Sequence, residues 1–186
     1  MSASRIAATV FTIGHGGRTI DEFLTLIRDA RIHLLVDVRS FPGSRKHPHF
    51  GKDPLAGSLD SIGTACEWKK ELGGFRKAHP HSRHLALRSA GFRGYADHME
   101  SEEFQAARDW LVRIAAETPT AVMCAESLWW KCHRRMLADA LMAAGCDVRH
   151  IMTGGCMDPH RLHPAARIEE GLPVYDRPGG QARLMD

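Results

Sequence analysis

The chain has 186 residues and a formal net charge of +3, with 44% hydrophobic and 25% charged residues. That is one domain by length, with the composition of an ordinary globular protein, and it excludes a disordered or low-complexity chain. No apolar run reaches the roughly 18 residues of a membrane helix, and five cysteines without tight spacing argue against a disulfide framework and for a reducing cytoplasm.

The β-branched run Ala8 to Ile13 reads as a buried strand. It leads into Gly14-His15-Gly16-Gly17 without a small-residue cleavage site, so it is not read as a signal core. Thr19-Ile20-Asp21-Glu22 is a capping box, and Phe23, Leu26, Ile27 and Ala30 give the helix it opens, 20–30, one apolar face. Leu34 to Val38 is a second strand, and strand, helix and strand in about 30 residues imply parallel pairing. From about residue 40 to 99 the pattern breaks: Pro42, Pro48, Pro54 and several glycines predict an irregular insertion, rich in basic residues. Ser101 caps a helix over 102–117, Thr120 to Cys124 is a strand, Leu128 to Ala144 a helix closed by Gly145, and Asp147 to Met152 a last strand. The tail from Gly154 reads as a surface wrap. The whole, residues 1–186, is expected to be a single three-layer α/β domain, its mostly parallel sheet flanked by helices in a Rossmann-like way.

Ligands of such sheets bind outside the carboxyl ends of the strands, and reactive residue types collect there. The first turn, Gly14-His15-Gly16-Gly17-Arg18-Thr19, can expose backbone N–H groups to an anion. As a dinucleotide fingerprint it is incomplete, because Thr19 stands at the third glycine. Asp37 in an apolar strand needs a partner, and Arg39 shares its face. The densest stretch is Cys124-Ala125-Glu126-Ser127 through Cys132-His133-Arg134-Arg135. Ser127 is expected to cap the following helix and so create a second anion site. On one continuous helix Cys132 and His133 point about 100° apart, which makes them a poor nucleophile–base pair and Cys132 a core thiol. Arg134 offers a fork for phosphate or carboxylate. Zinc is poorly signalled, since Cys124, Cys132 and His133 lack short paired spacing. Tyr95 can stack on a base or close the core.

Several pieces in order resemble the bacterial domain-of-unknown-function family 488: Thr12-Ile13-Gly14-His15, Asp37-Val38-Arg39 with Pro42 and Ser44, Leu72-Gly73-Gly74, Phe92 to Asp97, Cys124-Ala125-Glu126 with Cys132-His133-Arg134, and His150-Ile151. The resemblance implies a compact α/β fold and carries no activity. The chain departs from the family where Gly16 replaces a serine and His98 a tyrosine.

The expectation is a cytoplasmic enzyme, a hydrolase or group transferase acting on a phosphorylated or nucleotide-like substrate. Glu126, Asp37 and His133 are the expected catalytic residues, and no metal ligand is assigned. His15, Arg39, Tyr95, Arg134, Ser127, Gly14 and Gly16 are expected to bind substrate. A rival is a nucleic-acid-binding accessory protein using the basic clusters at 45–52 and 69–88 with Trp129, Trp130 and Tyr95 as stacking surfaces. A metal-binding protein is the third reading.

Overall fold

The computed structural model describes residues 8–43 and 45–176, so Ser44 of the resemblance lies outside it. Strands β1 (Thr9–Gly14), β2 (Leu34–Asp37), β3 (Ala65–Trp68), β4 (Thr120–Cys124), β5 (Asp147–Ile151) and β6 (Met157–Pro159) form one sheet in the order β3-β2-β4-β1-β5-β6. All neighbours pair in parallel except the edge strand β6. Helices α1 (Ile20–Asp29) and α2 (Lys52–Asp60) cover one face; α3 (Ala90–Met99), α4 (Glu102–Glu117) and α5 (Arg134–Ala143) cover the other. The pleat sorts the core accordingly. Leu35, Ala121 and Met123 face Phe23, Ile27 and Leu59, whereas Val36 and Val122 face Tyr95, Phe104 and Leu137. The architecture is three-layer α/β and Rossmann-like.

The caps of α1 and α4 form as their sequence implies: Thr19 and Glu22 make a reciprocal box, and Ser101 accepts from the Phe104 N–H. The stretch 40–99 is more regular than its prolines imply, since it holds α2, β3 and α3. Pro54 is the third residue of α2, where an N–H would have no intrahelical acceptor, so it costs no hydrogen bond. Strand β3 is short, alternates exposed and half-buried residues and sits at the sheet edge, which hides it from a hydrophobic pattern. The tail is no loose wrap: β7 (Ala166–Glu169) and β8 (Leu172–Tyr175) make a hairpin whose turn holds Glu170 and Gly171 at positive φ.

Two backbone contacts fix the strand ends. The N–H groups of His15 and Gly16 donate to the carbonyl oxygens of Cys124 and Ala125, 3.0 and 2.9 Å away. The β1 turn is therefore sealed against the loop after β4, and these two N–H groups are spent. Gly14 serves close approach, because a Cβ there would overlap the Glu126 carbonyl oxygen and crowd the Arg134 guanidinium. A Cβ on Gly17 would meet nothing within 4 Å. Gly14→Ala should lower stability by about 1–3 kcal/mol, a melting shift of several degrees for a chain this long. Gly17→Ala should leave the melting temperature in place. Equal melting curves for the two variants would remove this role for Gly14.

The hairpin is anchored by a buried polar relay. Asp139 accepts from the Tyr175 hydroxyl at 2.7 Å, the His163 N–H at 3.0 Å and His160 Nε2 at 2.9 Å. His160 Nδ1 lies 3.0 Å from His150 Nε2, and His150 Nδ1 lies 2.6 Å from the Thr12 hydroxyl. Asp139 can only accept, so each proton points toward it along the relay. Asp139 is thus a buried hub, not the surface partner that its i+4 spacing from Arg135 implies. Burial holds the His150 imidazole down at about 3 and His163 at about 4. Unfolded imidazoles take up protons from about pH 6.5 downward, whereas His150 and His163 in the folded chain do so only near 3 and 4. Stability should be flat above about pH 6.5 and fall as the pH is lowered from there toward 4. Denaturation midpoints that coincide at pH 7.5 and pH 5 would contradict this.

Candidate active site

After β4 the sequence pattern calls for a helix from Leu128, and the structure departs from it. A short 3-10 turn spans Trp129–Lys131, Cys132 is extended (φ −117, ψ 154), and α5 starts at Arg134 with His133 as its N-cap. Ser127 is not a cap, and the N–H of Leu128 is taken by the Glu126 carboxylate at 3.3 Å. Side-chain anchors explain the delay. Trp129 stacks on His150 at 4.0 Å and donates its indole N–H to Asp158, while Arg134 folds back onto the carbonyl oxygens of Glu126 and Ser127.

Because Cys132 precedes the helix, its thiol is not splayed away from His133. His133 Nδ1 lies 3.6 Å from Cys132 Sγ and 3.9 Å from Cys124 Sγ, and the Arg134 N–H points at Cys132 Sγ from 3.5 Å. The neighbouring Cys124 thiol holds Cys132 well below the ordinary thiol range against the cost of burial, with help from His133 and Arg134. Cys132 together with burial pushes the Cys124 thiol far up. Cys132 is thereby the more acidic of the two thiols. A thiolate at a helix N-terminus beside an imidazole and a guanidinium is the form of cysteine that reacts. Sequence reasoning read Cys132 as a core thiol and gave Cys124 no role beyond a poorly signalled zinc site; the close array of Cys124, Cys132 and His133 in one twelve-residue stretch was the available signal.

Both cysteines line a cavity of about 860 Å³ together with His15, Gly16, Glu126, Ser127 and His133. Lys46, His47 and Lys131 add basic groups to its wall. Glu126 and Ser127 are exposed there. His15 is buried, stacked on Phe50 with ring centroids 4.3 Å apart, and burial holds its imidazole down at about 4, so it is neutral. A second cavity of about 300 Å³ shares His15, Cys124 and His133 and adds Arg39.

Four expected site residues line neither cavity. Asp37 lies beneath Arg39 in a two-pronged ion pair, with Nε–Oδ1 at 2.9 Å and Nη2–Oδ2 at 2.6 Å, and it also accepts the Arg39 N–H. It positions Arg39 and is not poised to transfer protons. Tyr95 is fully buried, donates to the Leu72 carbonyl at 3.0 Å and packs edge-on against His133 at 5.0 Å; it backs the imidazole and offers no ring to a ligand. Arg134 is 1% exposed and its Nη2 donates to the loop carbonyls of Glu126 and Ser127, while its Nε is buried with no hydrogen-bond partner among the described residues. Gly14 acts through close approach. Gly74 belongs to the site instead, because a Cβ there would overlap the His133 ring.

Part of the 69–88 basic cluster is paired within the chain. Lys69 sits over Trp110 at 4.0 Å and pairs with Glu67 at 3.1 Å; Arg83 pairs with Glu100 and Glu169; His84 is buried against Glu100. With Trp129 stacked on His150 and Tyr95 in the core, two of the three aromatic side chains expected to stack on bases are occupied. Among the described residues no helix is long and apolar enough to cross a membrane.

Alkylation reads the thiolate directly. Iodoacetamide should modify Cys132 with an inflection well below the roughly 8.5 of an ordinary thiol. In Cys124→Ala the neighbouring thiol is lost, and the inflection should move up toward that value. An inflection near 8.5 in the unaltered chain would disprove the lowered Cys132 thiol.

Neither the curated proteins nor the solved structures contain a match to the chain. The model of one family, described as a domain of unknown function, matches residues 19–141, a stretch that includes Asp37, Arg39, Gly74, Cys124, Glu126, Cys132 and His133 and leaves out His15. The chain belongs to the DUF488 family.

Proposed function

We propose that the chain is a thiol-dependent hydrolase or group transferase whose nucleophile is Cys132, acting on an anionic, phosphorylated or nucleotide-like substrate. The observation that carries this is the close array of Cys132, Cys124 and His133 on the wall of an open cavity, with Cys132 Sγ 3.6 Å from His133 Nδ1 and 3.5 Å from the Arg134 N–H. Lys46, His47 and Lys131 supply the positive wall for a phosphate. The Cys132 sulfur attacks the electrophilic phosphorus or carbonyl carbon, and the bond to the leaving group breaks with its electron pair going to the leaving atom. A proton from the neighbouring thiol or imidazole neutralises that atom. Water, or an acceptor alcohol in a transferase, then attacks the intermediate, Glu126 takes its proton, and the thiolate is released. Free thiols at all five cysteines suit a reducing, cytoplasmic setting.

One observation favours a second reading. Cys124 Sγ, Cys132 Sγ and His133 Nδ1 lie within 4.8 Å of one another. Zinc bonded to sulfur at about 2.3 Å and nitrogen at about 2.0 Å spaces such atoms about 3.5 Å apart, close to the two S–N separations found. In that case the cavity would supply the fourth position. Metal analysis separates the two: the thiolate reading expects protein without stoichiometric zinc and with Cys132 open to alkylation. One zinc per chain with both thiols blocked selects the metal centre.

A panel of phosphomonoesters, phosphodiesters and nucleotides supplies the turnover test. Cys132→Ser should lower turnover by at least about 10³-fold, and Glu126→Gln by about 10²–10⁴-fold, with both variants folded. Full activity in Cys132→Ser would end the nucleophile assignment; full activity in Glu126→Gln would remove the base.

A further inference from the structure

The two cavities meet at Cys124 and His133, so a ligand in one is adjacent to a ligand in the other. They differ in chemistry. The larger has Lys46 and Lys131 on its wall; the smaller has Arg39, Phe41 and Phe75. Phe41 and Phe75 are 74% and 81% exposed, with ring centroids 6.4 Å apart. The backbone here is tied, since the Phe75 N–H donates to the Ser40 hydroxyl at 3.0 Å. Large apolar rings held open at a cavity are a feature of ligand sites.

The polar groups of the smaller cavity are unusual in the same place. Arg39 is 5% exposed; Asp37 takes its Nε and Nη2, and Nη1 is buried with no hydrogen-bond partner among the described residues. His15 is 3% exposed and likewise has Nε2 without a partner. Its Nδ1 lies 3.0 Å from the Gly16 carbonyl, which can only accept, so Nδ1 carries the proton of the neutral ring and Nε2 presents a lone pair. One fixed donor and one fixed acceptor therefore belong to the same cavity as an exposed aromatic pair.

We propose that the smaller cavity is a nucleobase subsite, in which a planar heterocycle lies against Phe41 and Phe75, accepts from Arg39 Nη1 and donates to His15 Nε2. A phosphate on the same molecule then reaches the wall of Lys46 and Lys131, and the bond acted on lies between the two, at the Cys132 thiolate. This rests on the reading of the larger cavity as an anion-accepting catalytic site, and it adds the recognised part of the substrate. Other planar or apolar occupants lack one element of the match: a phenyl ring stacks but offers no donor–acceptor edge, and a sugar phosphate has no ring to stack.

The test is calorimetric titration of full-length Cys132→Ser, which cannot turn over, with AMP, GMP, CMP, UMP, ribose 5-phosphate and phenyl phosphate. At least one nucleotide should bind about tenfold or more tighter than ribose 5-phosphate and than phenyl phosphate. Adding Phe75→Ala should weaken that nucleotide by roughly 5- to 100-fold, the scale of base stacking, and leave ribose 5-phosphate unchanged. Both phenylalanines are exposed, so their removal should not compromise folding, and a melting curve checks it. Nucleotides that bind no better than ribose 5-phosphate, phenyl phosphate that binds as well as they do, or an equal loss for all ligands in Phe75→Ala would each overturn the subsite. Alkylation of the unaltered chain is the independent arm. Ring-dependent binding with an inert Cys132 keeps the subsite and rejects the thiolate enzyme; a reactive Cys132 without ring-dependent binding does the reverse.

Discussion

The site depends on where α5 begins, and the buried Arg134 guanidinium decides that. A guanidinium left without partners in the interior is costly, and here the carbonyl oxygens of Glu126 and Ser127 supply them. The same arrangement keeps Glu126 and Ser127 out of a helix, since their carbonyl groups point to a side chain, while those of Leu128 and Trp129 close only a short turn onto Lys131 and Cys132. The helix consequently starts at Arg134, and its N-terminus comes to lie at Cys132. An arginine that reads as a phosphate fork from sequence is spent on shaping the loop that presents the thiolate. Its charge still acts through space, helping to hold the Cys132 proton off.

A second set of constraints works from below. Trp129 lies flat on His150, and His150 is one link in the relay that runs through His160 to Asp139 and Tyr175. The loop beside Cys132 is therefore coupled by packing to the β7–β8 hairpin, which lies more than 30 residues further along the chain. Buried polar networks are costly when half satisfied and rigid when complete. This relay is complete, with Asp139 accepting three bonds, and it gives the loop a stiff base.

The layers of the fold were legible because they rest on local signals: β-branched runs, a capping box and helical periodicity. Strand β4 falls at 120–124 as read, and α4 at 102–117. What escaped depends on tertiary partners. Strand β3 owes its pairing to β2 and has no hydrophobic run of its own. The hairpin is held by Tyr175 in the core. Sequence placed Gly14, His15, Gly16, Glu126, Ser127 and His133 around the ends of β1 and β4, and the structure brings them to one cavity or its frame. The separation of Cys132 from His133 assumed a continuous helix from Leu128. Under that assumption the angle between them follows from helical geometry; with the helix delayed, it does not apply. Cys132 is buried as read, but next to His133. Arg134 was read from its donor fork alone, and its loop partners are tertiary.

The pairing of Asp37 with Arg39 shows the same exchange of roles on the neighbouring strand. A carboxylate at the end of a central parallel strand is a natural candidate for acid–base work, but here both oxygens are taken up by one guanidinium and a backbone N–H. Such a pair contributes little net stability once desolvation is counted. Its effect is directional: the guanidinium plane is fixed and a single N–H end is left over. The cysteine pair works similarly: the Cys124 thiol is pushed up while it helps to hold the Cys132 thiol down. In both cases one residue of a buried pair immobilises or polarises its neighbour, and the neighbour faces the cavity. The two cavities therefore carry two groups of opposite character, the Cys132 thiol and the cationic Arg39, with the neutral His15 ring on the wall of both. A substrate that satisfied both would have an electrophilic centre at one end and an acceptor at the other.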